Sequence, residues 1–129
     1  MDRLRLRIAV VDDDESVRKA LKRLLRAANL DADTFASGRD FLESLAAQVP
    51  DCIVLDLHMP GMNGLDLQLH LAHSGPLVPV VIITGHDEPL TRAQCLSAGA
   101  AAYLRKPLDD EALLDAIHRA AGVARSSTA

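Results

Sequence analysis

Five short apolar runs, separated by stretches of helical periodicity, constrain this chain more than any other feature. The runs are Leu6–Val11, Ala32–Phe35, Cys52–Leu55, Val78–Ile83 and Ala101–Leu104. Four read as strands by their length and branched residues, and the last is Ala-rich and weaker. The first, third and fourth are almost continuously apolar, which suits central strands of a parallel sheet covered on both faces. Between the first two, "SVRKALKRLLRAANL" puts Val17, Leu21, Leu24, Leu25 and Ala28 on one helical face and Arg18, Lys19, Lys22, Arg23 and Arg26 on the other. The basic stripe reads as a solvated face; docking to an acidic partner is the alternative. "GRDFLESLAAQV", "GLDLQLHLAH", "EPLTRAQCLSAG" and "DDEALLDAIHRAAG" supply four more helices, with Gly99 and Gly122 where C-terminal caps belong. A βα unit repeated five times predicts an α/β fold, a three-layer (βα)5 sandwich around a doubly wound parallel sheet with right-handed crossovers.

The 129 residues suit one domain, expected over residues 1–122, with "VARSSTA" (123–129) as a C-terminal tail or linker stub. Hydrophobic residues make up 49% and charged residues 25%, enough for a buried core. With no Trp, two Phe and one Tyr, that core must be aliphatic, and base-stacking platforms are not expected. The formal charge of -4 argues against direct nucleic-acid binding. Cys52 and Cys95 have neither metal spacing nor a disulfide framework and read as buried free thiols. The run Ile8–Val11 is too short for a signal-peptide core, and nothing reaches membrane-spanning length, so the expected location is the cytoplasm with no membrane contact.

Ligands of a doubly wound sheet bind beyond the carboxyl ends of its strands. After the first run come Asp12, Asp13, Asp14 and Glu15; Asp56 ends the third; Thr84 and Gly85 follow the fourth; Arg105, Lys106 and Pro107 follow the fifth. Asp14 or Glu15 is expected to be a helix N-cap. Thr84 alone could equally be a turn residue, and Lys106 alone a surface lysine; their joint placement at strand ends is what carries weight. Clustered carboxylates cannot all stay ionised without a counter-charge. An all-oxygen set without cysteine favours Mg²⁺ as the cofactor. A lysine, a hydroxyl and such a cation around one carboxylate suit stabilisation of a phosphoryl group, and the carboxylate itself can be the nucleophile.

"VVDDDESVRKAL", "VLDLHMPGMNG", "VVIITGH" and "AYLRKPLDDEAL" resemble the receiver domain of bacterial two-component response regulators, from about Arg7 to Ala121. "ITGH" and "KPLDDEAL" are most similar to the FixJ-type receivers. The resemblance implies a flavodoxin-like sheet in the order 2-1-3-4-5. It implies Asp12, Asp13, Asp56 and the His58 backbone carbonyl as metal ligands, Asp56 as phosphoacceptor, and Thr84 and Lys106 as its catalytic partners. It implies a cis bond between Lys106 and Pro107, and Thr84 with Tyr103 as the switch pair, Tyr103 turning inward on phosphorylation. The implied function is a phosphorelay signalling switch, not an enzyme in the ordinary sense, although it catalyses its own phosphorylation and dephosphorylation. The implied partners are a histidine kinase or phosphotransfer protein, a homodimer through the helix 4–strand 5–helix 5 face containing Tyr103 and Arg105, and an output domain. His58 and His86 each lie two residues beyond a site residue; a role in positioning water or a proton stands beside that of exposed loop histidines.

Two other classes stand against this reading. A Mg²⁺-dependent phosphatase would also form an aspartyl phosphate, but it usually has a second acid two residues after the nucleophile, where this chain has His58. A scaffold that has lost phosphorylation is opposed by the complete set Asp12, Asp13, Asp56, Thr84 and Lys106.

Overall fold

The computed structural model describes residues 5–126. Five strands and five helices alternate: β1 (Arg7–Val11), α1 (Glu15–Ala27), β2 (Asp31–Phe35), α2 (Gly38–Ser44), β3 (Cys52–Asp56), α3 (Gly64–Ser74), β4 (Val80–Thr84), α4 (Pro89–Ser97), β5 (Ala102–Arg105) and α5 (Asp110–Ser126). All strands run parallel in the order β2-β1-β3-β4-β5. The expected three-layer, doubly wound sheet is therefore the observed one. Of its three interior strands, β3 and β4 are buried at every residue and β1 at all but its first.

Side chains alternate across a strand, so each apolar run feeds two cores. Ile8, Val10, Cys52, Val54, Val81 and Ile83 face α1 and α5, against Leu21, Leu25, Leu113 and Ile117. Ala9, Val11, Ile53, Leu55, Val80 and Ile82 face the other layer, against Phe41, Leu67, Leu71 and Cys95. Both cysteines are free and buried, as their isolation in the sequence implied.

The strand and helix ends differ from expectation where backbone chemistry overrides the apolar pattern. β4 starts at Val80 rather than Val78, because Pro79 has no N–H for the ladder and contributes only its carbonyl, to Ile53 N–H at 2.9 Å. β3, β4 and β5 each run one residue past their apolar stretch, to Asp56, Thr84 and Arg105. α2 stops at Ser44, and the following residues form turns. Gly99 adopts φ +103° just after α4, a left-handed position that a glycine fills without strain. Gly122 does not cap α5, which continues to Ser126. A glycine ends a helix by going left-handed, and Gly122 is not among the positive-φ residues. The boundary expected at residue 122 thus falls inside a helix, and residues 127–129 of the expected tail lie outside the described residues. Among the described residues, no helix is long and apolar enough to cross a membrane.

α3 is set against the end of β3 with no room to spare. Asn63 caps it by accepting a hydrogen bond from Asp66 N–H at 2.8 Å, and Gly64 N–H donates to the Leu57 carbonyl at 2.9 Å. A Cβ at Gly64 would lie 2.6 Å from the Asp56 carbonyl oxygen and 2.9 Å from Leu57 Cα, both backbone atoms that cannot rotate away. Gly64→Ala is therefore expected to destabilise the fold by about 2 kcal/mol in urea unfolding, whereas Gly85→Ala, whose Cβ meets only the Lys106 side chain at 4.0 Å, costs far less. Equal losses for the two would show that the fit at Gly64 is not the constraint described.

Candidate functional site

The carboxyl ends of β1, β3, β4 and β5 bring Asp12, Asp56, Thr84 and Lys106 to one edge of the sheet. Asp12 is fully buried. Its N–H donates to the Phe35 carbonyl at 3.1 Å, fixing it just past the β1–β2 pairing. Its Oδ1 accepts from Asp14 N–H at 2.9 Å and its Oδ2 from Lys106 Nζ at 2.9 Å. Asp14 is the N-cap of α1, accepting from both the N–H and the hydroxyl of Ser16. The Ser16 hydroxyl and N–H stabilise the charged form and hold the Asp14 carboxyl below the usual range. Of the two cap candidates, Asp14 takes the role and Glu15 begins the helix.

Asp56, 3% exposed, ends β3, and Lys106 Nζ also reaches its Oδ1 at 3.5 Å. One oxygen from each of Asp12, Asp13 and Asp56 lies within 4.8 Å of the others. Lys106 N–H donates to the Thr84 carbonyl at 2.7 Å, and the Lys106–Pro107 bond is cis. Thr84 is fully buried; its hydroxyl donates to the His86 carbonyl and accepts from His86 N–H, both at 3.0 Å. His58 and His86 are exposed and meet edge-on, ring centroids 6.1 Å apart. They join the loop after β3 to the loop after β4 at the mouth of the site.

The charges explain one another. Burial and the Asp12 carboxylate push the Asp56 carboxyl up to about 6; Lys106 and the His58 backbone N–H oppose this, and Asp13 adds to it. Burial also works against the Lys106 charge, but the Asp12 hydrogen bond and the Asp56 carboxylate outweigh it and hold the ammonium above its ordinary value. One lysine is thus shared by Asp12 and Asp56, and with Asp13 beside them the cluster keeps a negative surplus. The three oxygens fit Mg²⁺ by donor type and are gathered at one point of the sheet edge. The same lysine stays charged beside them.

Tyr103 on β5 is 8% exposed, with the Arg92 guanidinium 5.7 Å above its ring and its hydroxyl without a hydrogen-bond partner. The ring is buried at the sheet edge, with Arg92 of α4 over one face. Burial, with the nearby Asp87 carboxylate, raises the phenol above its ordinary value. Arg18 corrects the reading of a wholly solvated α1 stripe: its guanidinium donates to the Asp12 carbonyl at 2.9 Å. Its spacing from Asp12 carries no signal by itself; the direction in which α1 leaves the strand decides the contact.

For Asp56 the folded value lies above the unfolded one, so the folded protein binds more protons between about pH 4 and pH 6. The destabilisation from keeping Asp56 ionised is absent below that window and fully present above it. Without divalent cations, Asp56→Asn is expected to stabilise the protein by on the order of 2–3 kcal/mol at about pH 7.5, falling toward zero near pH 4. Urea midpoints at both pH values check this; a gain independent of pH would contradict it.

Comparison with known proteins agrees with the geometry. Residues 8–118 match the family of the response regulator receiver domain. Nodulation protein W of Bradyrhizobium diazoefficiens is 41% identical over 111 residues, covering 85% of this chain and 48% of that protein. The chain thus spans about half the length of that relative. A response regulator receiver protein from Burkholderia phymatum superposes with a TM-score of 0.80 at 45% identity, covering 92% of this chain and 96% of that one. FixJ-N superposes at 0.84 with 31% identity, covering 91% and 94%. A (βα)5 sheet with three carboxylates and one lysine at its strand ends, matched in sequence along most of its length, makes this chain a member of the response regulator receiver domain family of two-component systems.

Proposed function

We propose that Asp56 is the phosphoacceptor of a phosphorelay switch, taking its phosphoryl group from a phosphohistidine of a sensor kinase or phosphotransfer protein. The observation that carries this is the Lys106 ammonium, 2.9 Å from Asp12 and 3.5 Å from Asp56, within a cluster of three carboxylates. One Asp56 oxygen attacks phosphorus, the P–N bond breaks, and the electron pair leaves with the imidazole, which takes up a proton. Asp12, Asp13, Asp56 and the His58 carbonyl would hold Mg²⁺, which when bound would supply positive charge to the transferring phosphoryl oxygens. Lys106 contributes charge from the other side. Gly85, beside Thr84, leaves the approach open, with only the Lys106 side chain near it.

The Thr84 hydroxyl is held by the His86 backbone, so a move toward a phosphoryl oxygen exchanges two hydrogen bonds for a charge-assisted one. That exchange biases the loop leading into α4, and with it the face that Tyr103 supports. Loss of the phosphoryl group by the domain's own hydrolysis resets the switch. We assign homodimerisation or output-domain contact to the α4–β5–α5 face. β5 is an edge strand, and the small residues Ala112, Ala116 and Ala120 of α5 line a shallow groove beside it.

Incubation with acetyl phosphate and Mg²⁺ is expected to add one phosphoryl mass, stable in acid and labile in base. It is absent without Mg²⁺ and absent in Asp56→Asn. No gain from either acetyl phosphate or a phosphohistidine donor would favour the scaffold reading instead. Lys106→Met is expected to act in opposite directions on two steps. It tightens Mg²⁺ binding, because a competing cation 2.9 Å from Asp12 is gone. It slows phosphorylation about a hundredfold, because charge stabilisation of the transferring group is lost. Calorimetric Mg²⁺ titration and timed mass spectra read the two separately.

A further inference from the structure

Among the described residues, four buried side chains are polar or charged: Asp12, Asp56, Thr84 and Gln68. The first three belong to the site. Gln68 sits on α3, 3% exposed, and its Nε2 donates to the Cys95 carbonyl of α4 at 3.0 Å, across 27 residues of sequence. Cys95 is the buried residue of α4.

α4 has few other attachments. Its N-terminus has no side-chain cap, and Leu90 and Leu96 point outward, 74% and 44% exposed. The buried side-chain polar atoms without a partner, among the described residues, are Gln68 Oε1, Asp87 Oδ1 and Tyr103 Oη. All three belong to residues beside α4: Gln68 is bonded to it, Asp87 precedes its N-cap Glu88, and Tyr103 lies beneath its Arg92. The Asp87 carboxylate is near enough to raise the Tyr103 phenol without completing a hydrogen bond to it, and Gln68 Oε1 is also unpartnered, so the Gln68–Cys95 bond is the one formed polar contact of this group.

The other end of α3 is fixed to the phosphorylation site. Gly64 bonds to the Leu57 carbonyl and abuts the Asp56 backbone, and Gln68 follows one helical turn later, also buried. We infer that Gln68 is a positioning residue that ties α4 to α3 and so conveys the state of Asp56 to α4, by a route that does not pass through Thr84 or Tyr103. The second half of this inference rests on Asp56 being the phosphoacceptor; the tether itself does not.

A residue that merely packs would be missed for its stability, whereas a tether is missed for its coupling. Gln68→Met separates the two. It keeps the length of the side chain, removes the unpaired Oε1, and leaves the Cys95 carbonyl its bond from Ala100 N–H at 3.0 Å. Hydrogen exchange is measured on wild type and Gln68→Met, with and without acetyl phosphate and Mg²⁺, with intact mass recorded in parallel. Without the donor, amides of Leu90–Ser97 are expected to exchange about fivefold faster in the variant, with β3 and β4 amides and the urea midpoint unchanged. With the donor, α4 exchange changes in wild type and not in the variant at equal phosphoryl occupancy. Unchanged α4 exchange in the first arm, or equal donor responses in the second, overturns the inference. Uniform acceleration through β3 and β4 in both Gln68→Met and Gln68→Leu makes Gln68 a packing residue and overturns it too. A wild type that gains no mass from acetyl phosphate or from a phosphohistidine donor sinks the phosphoacceptor reading, while the first arm still decides the tether.

Discussion

The Lys106 ammonium between Asp12 and Asp56 is the interaction on which the rest of the structure depends. Two buried carboxylates that close repel strongly, since two unit charges about 4 Å apart interact by roughly 4 kcal/mol at an effective dielectric of about 20. Lys106 offsets that repulsion, but only if β5 delivers it to the tips of β1 and β3, on the far side of β4. The register of four strands is therefore held in place by one ion triad as well as by two apolar cores. Because the offset is partial, the site keeps a surplus of negative charge, and the Asp56 carboxyl sits near 6. A fold that leaves this edge short of positive charge is one whose edge a divalent cation would neutralise.

The same tension spreads outward through short contacts. Arg18 holds the Asp12 carbonyl, Lys106 N–H holds the Thr84 carbonyl, and the Thr84 hydroxyl is occupied by the His86 backbone. Each places a helix or loop in fixed relation to the charged centre. α4 is the exception. It follows the Thr84 loop, carries little buried surface, and is surrounded by unpaired polar atoms. Regions that move in a switch are drawn from the least stable parts of a fold, and α4 meets that physical description.

Much of this was legible before any coordinates. Run length and branched residues located β1 to β4 within two residues; for β1, β3 and β4 the reason is that a strand covered on both faces is nearly continuously apolar. The weakest expectation, the Ala-rich run at residues 101–104, also became a strand. Its edge position lets small residues suffice. Gly122 was misread because glycine signals a helix end only when its backbone goes left-handed, which local sequence does not determine; Gly99 and Gly122 look alike on the page and differ in φ. The site residues were legible as strand-end polar groups. Arg18, Arg92 and Gln68 were not, since a cationic or amide side chain on a helix has no mark that separates a solvated position from a buried partner.

The sequence by itself determined the alternation of strands and helices, the aliphatic core, an N-cap at Asp14 or Glu15 and the set of polar residues that strand tips would present. These follow from local periodicity and residue chemistry. Only the tertiary structure decided which of those residues meet. It set Lys106 within bonding distance of Asp12, 94 residues away, occupied the Thr84 hydroxyl with the His86 backbone, buried Tyr103 beneath Arg92, and joined Gln68 to Cys95. The reason is physical: such contacts depend on crossover direction and helix placement to within an ångström. Those emerge from packing the whole chain around one sheet, not from any short stretch of it.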